Sequence, residues 1–418
     1  MSNKTITMVN HYGAQEKYLG FSRYPNWGKF LVEQGDSVYI ICDGNIHNSN
    51  ICLLTDEDDY RIIKDNGINY VYIRTHRYTG NGISRVLNLV SFYFSALRTI
   101  QKLPKADFVI AQTPNPLACL AALKYAKKQN VPCICDVVDL WPESIVVYNH
   151  MSRNNPVIAM LYKLEKWIYK KCDALIFSIP GGYQYIIDKG WESSVPKEKV
   201  FHINTGVDVG AFDRKKEKCT RNDYMDNLEE KFKVVYSGAV RLVNNLDILV
   251  KAGEIIQNKG FKDIIILIHG AGDYVEDLKE YCRKNNITNV KLFGRIQKDD
   301  IPYVLSNADL CILCYQNTPI LRYGGSMNKL FDYFASGKPV VSNAKMNYSL
   351  IEQYQCGYEL DSNDPNKMAE CIIRFYEMSA QERYTFGINS RKAAEDFDIP
   401  KLGSKLLKVL EYAEAKKK

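Results

Sequence analysis

The residues that first invite chemistry are Lys329 and Asp332. They lie in Ser326-Met327-Asn328-Lys329-Leu330-Phe331-Asp332-Tyr333-Phe334-Ala335-Ser336-Gly337-Lys338-Pro339-Val340-Val341, which reads as loop, short helix, turn and strand. Leu330, Phe331 and Phe334 recur at helical spacing and should face a core. Gly337 suits the left-handed position after a helix, and Pro339 stops the helix from continuing. Lys329 then falls in the first turn, near the positive end of the helix dipole, where a cation is unfavourable by roughly a few tenths of a kcal/mol. It makes sense if an anion docks there, because free N–H groups at a helix start bind phosphate. Asp332, one turn on, is placed to accept hydrogen bonds from a sugar hydroxyl. The pair suggests a nucleotide, with phosphate on the helix start and ribose on the acid. An ordinary strand-and-helix unit with an exposed lysine would have the same sequence.

Other candidates stand where strands should end. Asp136, Asp139 and Glu143 cluster in Val131-Pro132-Cys133-Ile134-Cys135-Asp136-Val137-Val138-Asp139-Leu140-Trp141-Pro142-Glu143-Ser144. Any of them can cap a helix. Asp139 is expected to be functional because it should end a buried strand, where an unpaired carboxylate is costly. Arg241 follows the strand Phe232 to Gly238, and Gly270-Ala271-Gly272-Asp273 ends a fully apolar strand. Small residues there let a ligand approach the backbone, though a plain tight turn would also explain them. The loop His11 to Gly20 follows the first strand, where open α/β sheets bind ligands, but beyond Gly13 and Gly20 it has no glycine fingerprint of a dinucleotide site. Arg74, His76, Arg77, Arg85 and Arg98 flank an aromatic-rich helix over 86–97. Such a helix can lie on an anionic membrane face or be a core helix with a solvated edge, and both hold if only one face is buried. Cys311-x-x-Cys314 sits inside an apolar strand with no second Cys/His pair nearby, which argues against a metal.

These candidates hang on alternating strands and helices, including strands over 5–10 and 37–42 and a helix over 21–34. That rhythm implies parallel sheets with right-handed crossovers. A chain of 418 residues should form two or three domains. Its 46% hydrophobic and 25% charged content is that of a soluble globular protein. No signal-peptide pattern precedes the first strand, and no apolar run approaches the roughly eighteen residues of a spanning helix. The twelve cysteines lack a secreted framework's spacing and are read as reduced thiols in a cytosolic protein. A net charge of +7 suits anionic ligands or an anionic membrane surface. The basic residues are spread along the chain with no recognisable module, so nucleic acid is not an expected partner. The charged, weakly apolar stretch before Phe232 is expected to be a linker.

Four motifs, in order, carry a family resemblance: Asp139-Leu140-Trp141-Pro142-Glu143-Ser144, Asn204-Thr205-Gly206-Val207-Asp208, Phe293-Gly294-Arg295-Ile296, and the Lys329 stretch. The chain resembles the family-4 retaining glycosyltransferases of bacterial capsule, O-antigen and exopolysaccharide synthesis. The resemblance implies an α/β, GT-B fold, with two Rossmann-like doubly wound domains facing a central cleft. It implies an acceptor-side domain over 1–208, a linker over 209–231, a nucleotide-sugar domain over 232–392, and a helix over 393–418 returning to the first domain. On the donor, with UDP favoured, Asp332 matches the acid on the ribose, and Asn328, Lys329 and Leu330 match the helix start under the pyrophosphate. Gly294, Arg295 and Ile296 match the region beside the base, and Gly13, Gly270 and Gly272 join the donor set. Arg241 matches a phosphate-neutralising arginine, and Asp139 lies where relatives place a residue near the reacting sugar. Arg85 and Glu143 are assigned to the acceptor side.

The implied acceptor is a glycan, lipid-linked at the cytoplasmic membrane face, and the implied location is the cytoplasm or the inner membrane surface. No cofactor or metal is implied. The usual motif has two glutamates with seven residues between them; here the first falls at Gly324 and the second is Asp332. Asn244 and Asn245 stand where a lysine usually accompanies the arginine, and a glycine pair in the first loop is reduced to Gly13. Two alternatives stay open: a nucleotide-sugar epimerase of the same fold, and a non-catalytic nucleotide-sugar-binding subunit.

Overall fold

The computed structural model describes residues 3–18, 23–47, 49–78, 80, 82–113, 115–219, 228 and 230–417. Gly20, Phe21 and Ser22, expected in the first loop and helix, lie outside the described residues. The chain divides into two compact units, Met1–Asn204 with Ile399–Lys418, and Thr205–Asp398.

The first unit is built on β1 (Thr5–Val9), β2 (Ser37–Asp43), β3 (Tyr60–Asp65), β4 (Ile68–Ile73), β5 (Phe108–Gln112), β6 (Cys133–Val137), β7 (Ala174–Phe177) and β8 (Val200–His202). They form an eight-stranded sheet in the order β3-β4-β2-β1-β5-β6-β7-β8. Neighbours pair in parallel, except that β3 is antiparallel to β4. The central strands are apolar runs because helices cover both faces. β3 is an edge hairpin that the sequence reading did not assign. Its turn is Asn66-Gly67, both at positive φ (49° and 79°), the residue pair that such two-residue turns prefer. The sheet order reverses between β1 and β5, so loops at their carboxyl ends line a topological switch point. The helix Ile399–Ala415 packs on the helix Arg23–Glu33. The approach is close: a Cβ on Gly403 would stand 2.4 Å from the Phe30 ring.

The second unit carries β9 (Phe232–Ser237), β10 (Ile264–His269), β11 (Val290–Gly294), β12 (Leu310–Leu313), β13 (Val340–Ser342) and β14 (Gly357–Glu359). They lie in the order β11-β10-β9-β12-β13-β14, all parallel. This unit's switch point falls between β9 and β12, and the Lys329 motif lies in the connection from β12 to β13. The stretch expected as a linker contains a helix, Val209–Lys218, whose first turn is capped by Asp208 accepting from the Ala211 N–H at 2.7 Å. Arg391 holds that helix through a bidentate pair with Asp213, at 2.9 and 2.5 Å. Its polar composition resembles a linker because only Val209 and Phe212 are buried. Residues 220–227 and 229, in the rest of that stretch, lie outside the described residues. The helix Ala380–Asp396 runs through position 393, and the chain passes to the first unit at Ile399.

Candidate functional site

In the second unit, the helix Asn328–Ala335 begins at Met327, which offers no side-chain cap. Tyr333 fixes the helix against the end of β9, its hydroxyl accepting from the Ser237 N–H at 3.0 Å. Lys329 lies across Gly238, its Nζ 2.9 Å from where a Cβ on that glycine would sit. Lys329 Nζ donates to Tyr236 Oη at 2.8 Å and lies 4.5 and 5.1 Å from the ring centroids of Tyr236 and Tyr315. No acid partners it among the described residues. Burial lowers its pKa to about 8, with Cys314 acting weakly the other way. Asp332, also half-buried, has no hydrogen-bond partner for its carboxylate among the described residues, and burial raises it to about 7 against the pull of Lys298 and Lys215. A cation without an acid at an uncapped helix start, one turn from a carboxylate without a donor, is an arrangement completed by an anion and a hydroxyl.

The remaining expected donor residues divide. Arg241 is exposed after β9 and has no partner among the described residues. Asn328 and Arg295 are exposed, and Ile296 is half-buried. Gly294 has positive φ (77°), with open space where a Cβ would point. Leu330, by contrast, is a core side chain, and its N–H is taken by the Met327 carbonyl at 3.0 Å. Gly270 and Gly272 have a packing reason of their own: a Cβ would fall 1.7 Å from the Gly238 carbonyl oxygen and 1.9 Å from that of Val240. What approaches these glycines is the neighbouring loop, which extends the ladder through Gly238 N–H to His269 O (2.9 Å) and Val240 N–H to Ala271 O (3.0 Å). Gly270→Ala is therefore expected to cost at least about 2 kcal/mol, read as a fall in denaturant midpoint without added nucleotide; an unchanged midpoint would refute this packing role.

The first unit corrects one expectation. Asp139 does not end a buried strand. β6 stops at Val137. Asp139 follows at an exposed position, its carbonyl accepting from Thr113 Oγ1 at 3.4 Å, yet its carboxyl, without a hydrogen-bond partner among the described residues, is raised by desolvation. The fully buried carboxylate is Asp136, which is paired with Arg23 at 3.1 Å. Arg23 also donates to the carbonyls of Ile203 (2.7 Å) and Asn204 (2.9 Å) and stacks on Trp27. Glu143, assigned to the acceptor side, is buried and fully engaged. Arg153 and Lys189 each lie 2.5 Å from its carboxylate, and the Tyr162 hydroxyl donates to it. Burial alone would raise that carboxyl, but these bonds outweigh it and hold it below its ordinary value. Gly13 lies in a tight turn, its N–H on the Asn10 carbonyl at 3.0 Å, with Cys42 Sγ 3.0 Å from where a Cβ would be. Arg85 is half-buried, and its Nη2 donates to Tyr12 Oη at 3.2 Å.

Behind Tyr12, at the carboxyl ends of β1, β2 and β4, lies a polar network that the sequence reading missed. Asn115 Nδ2 donates to His11 Nδ1 at 2.9 Å, which leaves the proton on Nε2, 3.3 Å from Asp43. Asp43 also accepts from Asn88 (2.8 Å) and Thr75 (2.6 Å). Burial would raise Asp43, but bonds from His11, Asn45 and Thr75 overcome it and keep it below the ordinary carboxylate value. His11 lies between the rings of Tyr12 and Phe92. The available signal was Asn88, a polar residue in the middle of an apolar helix.

Residues 26–210 match the family described as Glycosyltransferase Family 4, and residues 231–378 the family described as Glycosyl transferases group 1. The chain belongs to the family-4 glycosyltransferases. Among relatives of this glycosyltransferase, the Escherichia coli UDP-Gal:alpha-D-GlcNAc-diphosphoundecaprenol alpha-1,3-galactosyltransferase is 22% identical over 296 residues, covering 70% of this chain and 72% of that one. Among solved structures, sucrose-phosphate synthase from Thermosynechococcus elongatus aligns over 98% of both chains, with a TM-score of 0.73 at 15% identity. Anabaena HepE, in complex with UDP and glucose, aligns over 98% of this glycosyltransferase and 100% of its own chain, with a TM-score of 0.68 at 16% identity. The fold is GT-B.

The departures of this glycosyltransferase from the usual motif have local structural grounds. Gly324, where a glutamate is usual, has φ 85° and ψ −174°, a region essentially closed to side chains. The loop is therefore built for glycine, and restoring a glutamate there would strain it. Ser326 ties the same loop to Thr205, whose N–H and Oγ1 both lie 2.9 Å from Ser326 Oγ. Asn244, in place of a lysine, closes the loop after β9 by donating to the Ala239 carbonyl at 2.6 Å. Among the described residues, no group of three or more His, Cys, Asp or Glu is placed to hold a metal. Cys311 and Cys314 are both buried, and burial pushes each thiol up to about 12.

Proposed function

We propose that this glycosyltransferase moves a sugar from a UDP-sugar to a lipid-linked glycan at the cytoplasmic face of the membrane, in cell-surface polysaccharide synthesis. In this reading the anomeric configuration is retained and no metal takes part. The observation that carries it is Lys329: a half-buried cation with no acid partner among the described residues, on an uncapped helix start at a switch point of the sheet. The hard part of sugar transfer is departure of the nucleoside diphosphate. Lys329, Arg241 and the helix start would stabilise the charge that develops on its pyrophosphate. Asp332 would accept from the ribose, and Gly294, Arg295 and Ile296 would flank the base. Asp139 would orient the acceptor or stabilise positive charge at the sugar.

Support for UDP comes from HepE, solved with UDP and with UDP-glucose. Support for the acceptor comes from the Escherichia coli relative, named for a sugar on diphosphoundecaprenol. The test is a thermal-shift panel of UDP, GDP, ADP, dTDP and their sugar conjugates, repeated with a chelator. A ligand that binds only the native state raises its melting temperature by mass action. UDP and its conjugates are expected to give the shift, unchanged by the chelator. A shift with another nucleotide alone would overturn the UDP assignment. A shift that needs metal would overturn the metal-free one, and no shift with any nucleotide would refute the donor site.

A further inference from the structure

The helix Ile83–Ile100 buries Asn88, Phe92, Ala96, Thr99 and Ile100 against the first unit. On its opposite face stand Ile83 (80% exposed), Val86 (57%), Leu87 (48%), Val90 (39%) and Phe94 (55%). Their spacing of i, i+3, i+4, i+7 and i+11 puts all five on one stripe. The core does not need them, because the helix already buries its other side. A second helix, Pro156–Lys171, repeats the pattern with Val157, Met160 and Trp167 exposed. The helix Pro116–Gln129 packs against both, so the three form one layer. Exposed apolar groups arrayed this way mark an interaction surface.

The charges of the layer indicate what it meets. The three helices carry nine lysines and arginines, Arg85, Arg98, Lys124, Lys127, Lys128, Lys163, Lys166, Lys170 and Lys171, against one acid, Glu165. That acid is buried and accepts from the hydroxyls of Tyr169 (2.8 Å) and Tyr185 (2.9 Å). The layer thus presents apolar stripes and lysines with no exposed carboxylate on its helices. An interfacial helix has this composition: aliphatic and aromatic groups enter the boundary of the acyl chains, and basic side chains meet anionic headgroups. An exposed tryptophan suits the same boundary. Lysine stems can lie along the apolar surface while their charges stay with the headgroups. Among the described residues no helix is long and apolar enough to cross a membrane, so contact through this layer would be lateral.

We propose that the layer of helices Ile83–Ile100, Pro116–Gln129 and Pro156–Lys171 docks on an anionic phospholipid bilayer. The docking face stands on its own residues and does not depend on the sugar-transfer reading, although a lipid-linked acceptor would give it a purpose. The test is flotation of the purified full chain with vesicles of phosphatidylcholine alone and of phosphatidylcholine with phosphatidylglycerol. Wild type is expected to float with the anionic vesicles and not with the neutral ones. Val86→Asp with Phe94→Asp changes only exposed side chains, so circular dichroism and melting temperature should match wild type while the bound fraction falls at least tenfold. Lys163→Glu with Lys170→Glu should fall similarly, and its residual binding, carried by the apolar stripes, should be less salt-sensitive than that of Val86→Asp with Phe94→Asp, which keeps the lysines. Equal binding by wild type and both variants, or no binding of wild type to anionic vesicles, would overturn the proposal. So would a wild-type dimer in sedimentation velocity that becomes monomeric in Val86→Asp/Phe94→Asp without any vesicle binding, because a second copy would then be the occupant. The UDP shift, measured on the same samples, reports the donor site separately.

Discussion

Lys329→Met is expected to lower sugar transfer by about 10²–10³-fold while leaving the ligand-free fold as stable as wild type or more so. The loss follows from the usual effect of removing one preorganised donor from a developing anion in a sheltered site. The gain follows from the ligand-free state. Burial holds the lysine at about 8 against an ordinary 10.5. Between those two values the folded protein binds fewer protons than the unfolded chain, so stability rises with pH through that window. Below pH 8 the full penalty of the buried charge is present, at most about 3 kcal/mol, and less because the side chain is half-exposed. Methionine keeps the stem over Gly238 and removes the charge. Tyr236 loses its donor but keeps its own bond to the Ala239 carbonyl at 2.7 Å, so no buried hydroxyl is stranded. Donor affinity in wild type should weaken as pH rises above about 8, and in the variant this alkaline fall should be absent. Initial rates and the affinity for a nucleotide sugar across pH 6–10 check both. A variant with near-normal transfer would remove Lys329 from the mechanism.

The Lys329–Asp332 pair was legible because everything that makes it unusual is local: a cation in the first turn of a helix, an acid one turn on, a glycine and a proline after. What depends on distant segments was not. Tyr236 supplies the hydroxyl and ring under Lys329 from 93 residues away, and in sequence it is one more residue of an apolar strand. Gly270 and Gly272 read as room for a ligand against the backbone, and only the sheet shows that the group packed on them is the loop after β9. Asp139 and Asp136 exchanged expectations because the strand ends two residues earlier than its apolar run suggests, and Arg23 pairs with Asp136 across 113 residues of sequence. Glu143 read as an available carboxylate because Arg153, Tyr162 and Lys189 are not visible as its partners until the helices pack. The helix Val209–Lys218 reads as linker on composition, because it buries only Val209 and Phe212 and its first turn and its tie to Arg391 are polar, through Asp208 and Asp213. The repeated strand-and-helix order gave the architecture without these details, since right-handed parallel crossovers leave few topologies open.

Asp332→Asn is expected to raise the melting temperature of the ligand-free protein at pH 8 and to weaken UDP binding about 10- to 100-fold. Burial raises this carboxyl from 3.8 to about 7. Between those values the folded state keeps a proton that the unfolded chain has lost, so stability falls as pH rises through the window and the whole penalty is present above 7. The shift bounds the penalty at about 4 kcal/mol, and partial exposure brings the expectation nearer 2. Asparagine removes the charge at almost constant shape, so the variant's advantage should be present at pH 8, shrink toward pH 5 and vanish below about 4. The binding loss is that of a charge-assisted hydrogen bond, about 1.5–3 kcal/mol. Thermal unfolding at pH 5 and pH 8, with and without UDP, reads both effects in one experiment. A variant less stable than wild type at pH 8 would mean that the carboxylate already has a stabilising role in the empty protein. A variant with an undiminished UDP shift would mean that the ribose is held elsewhere. If both expectations hold, the unpartnered charges at this helix lower the stability of the empty protein for the sake of the donor they hold, as expected of a binding site under a stability–activity trade-off.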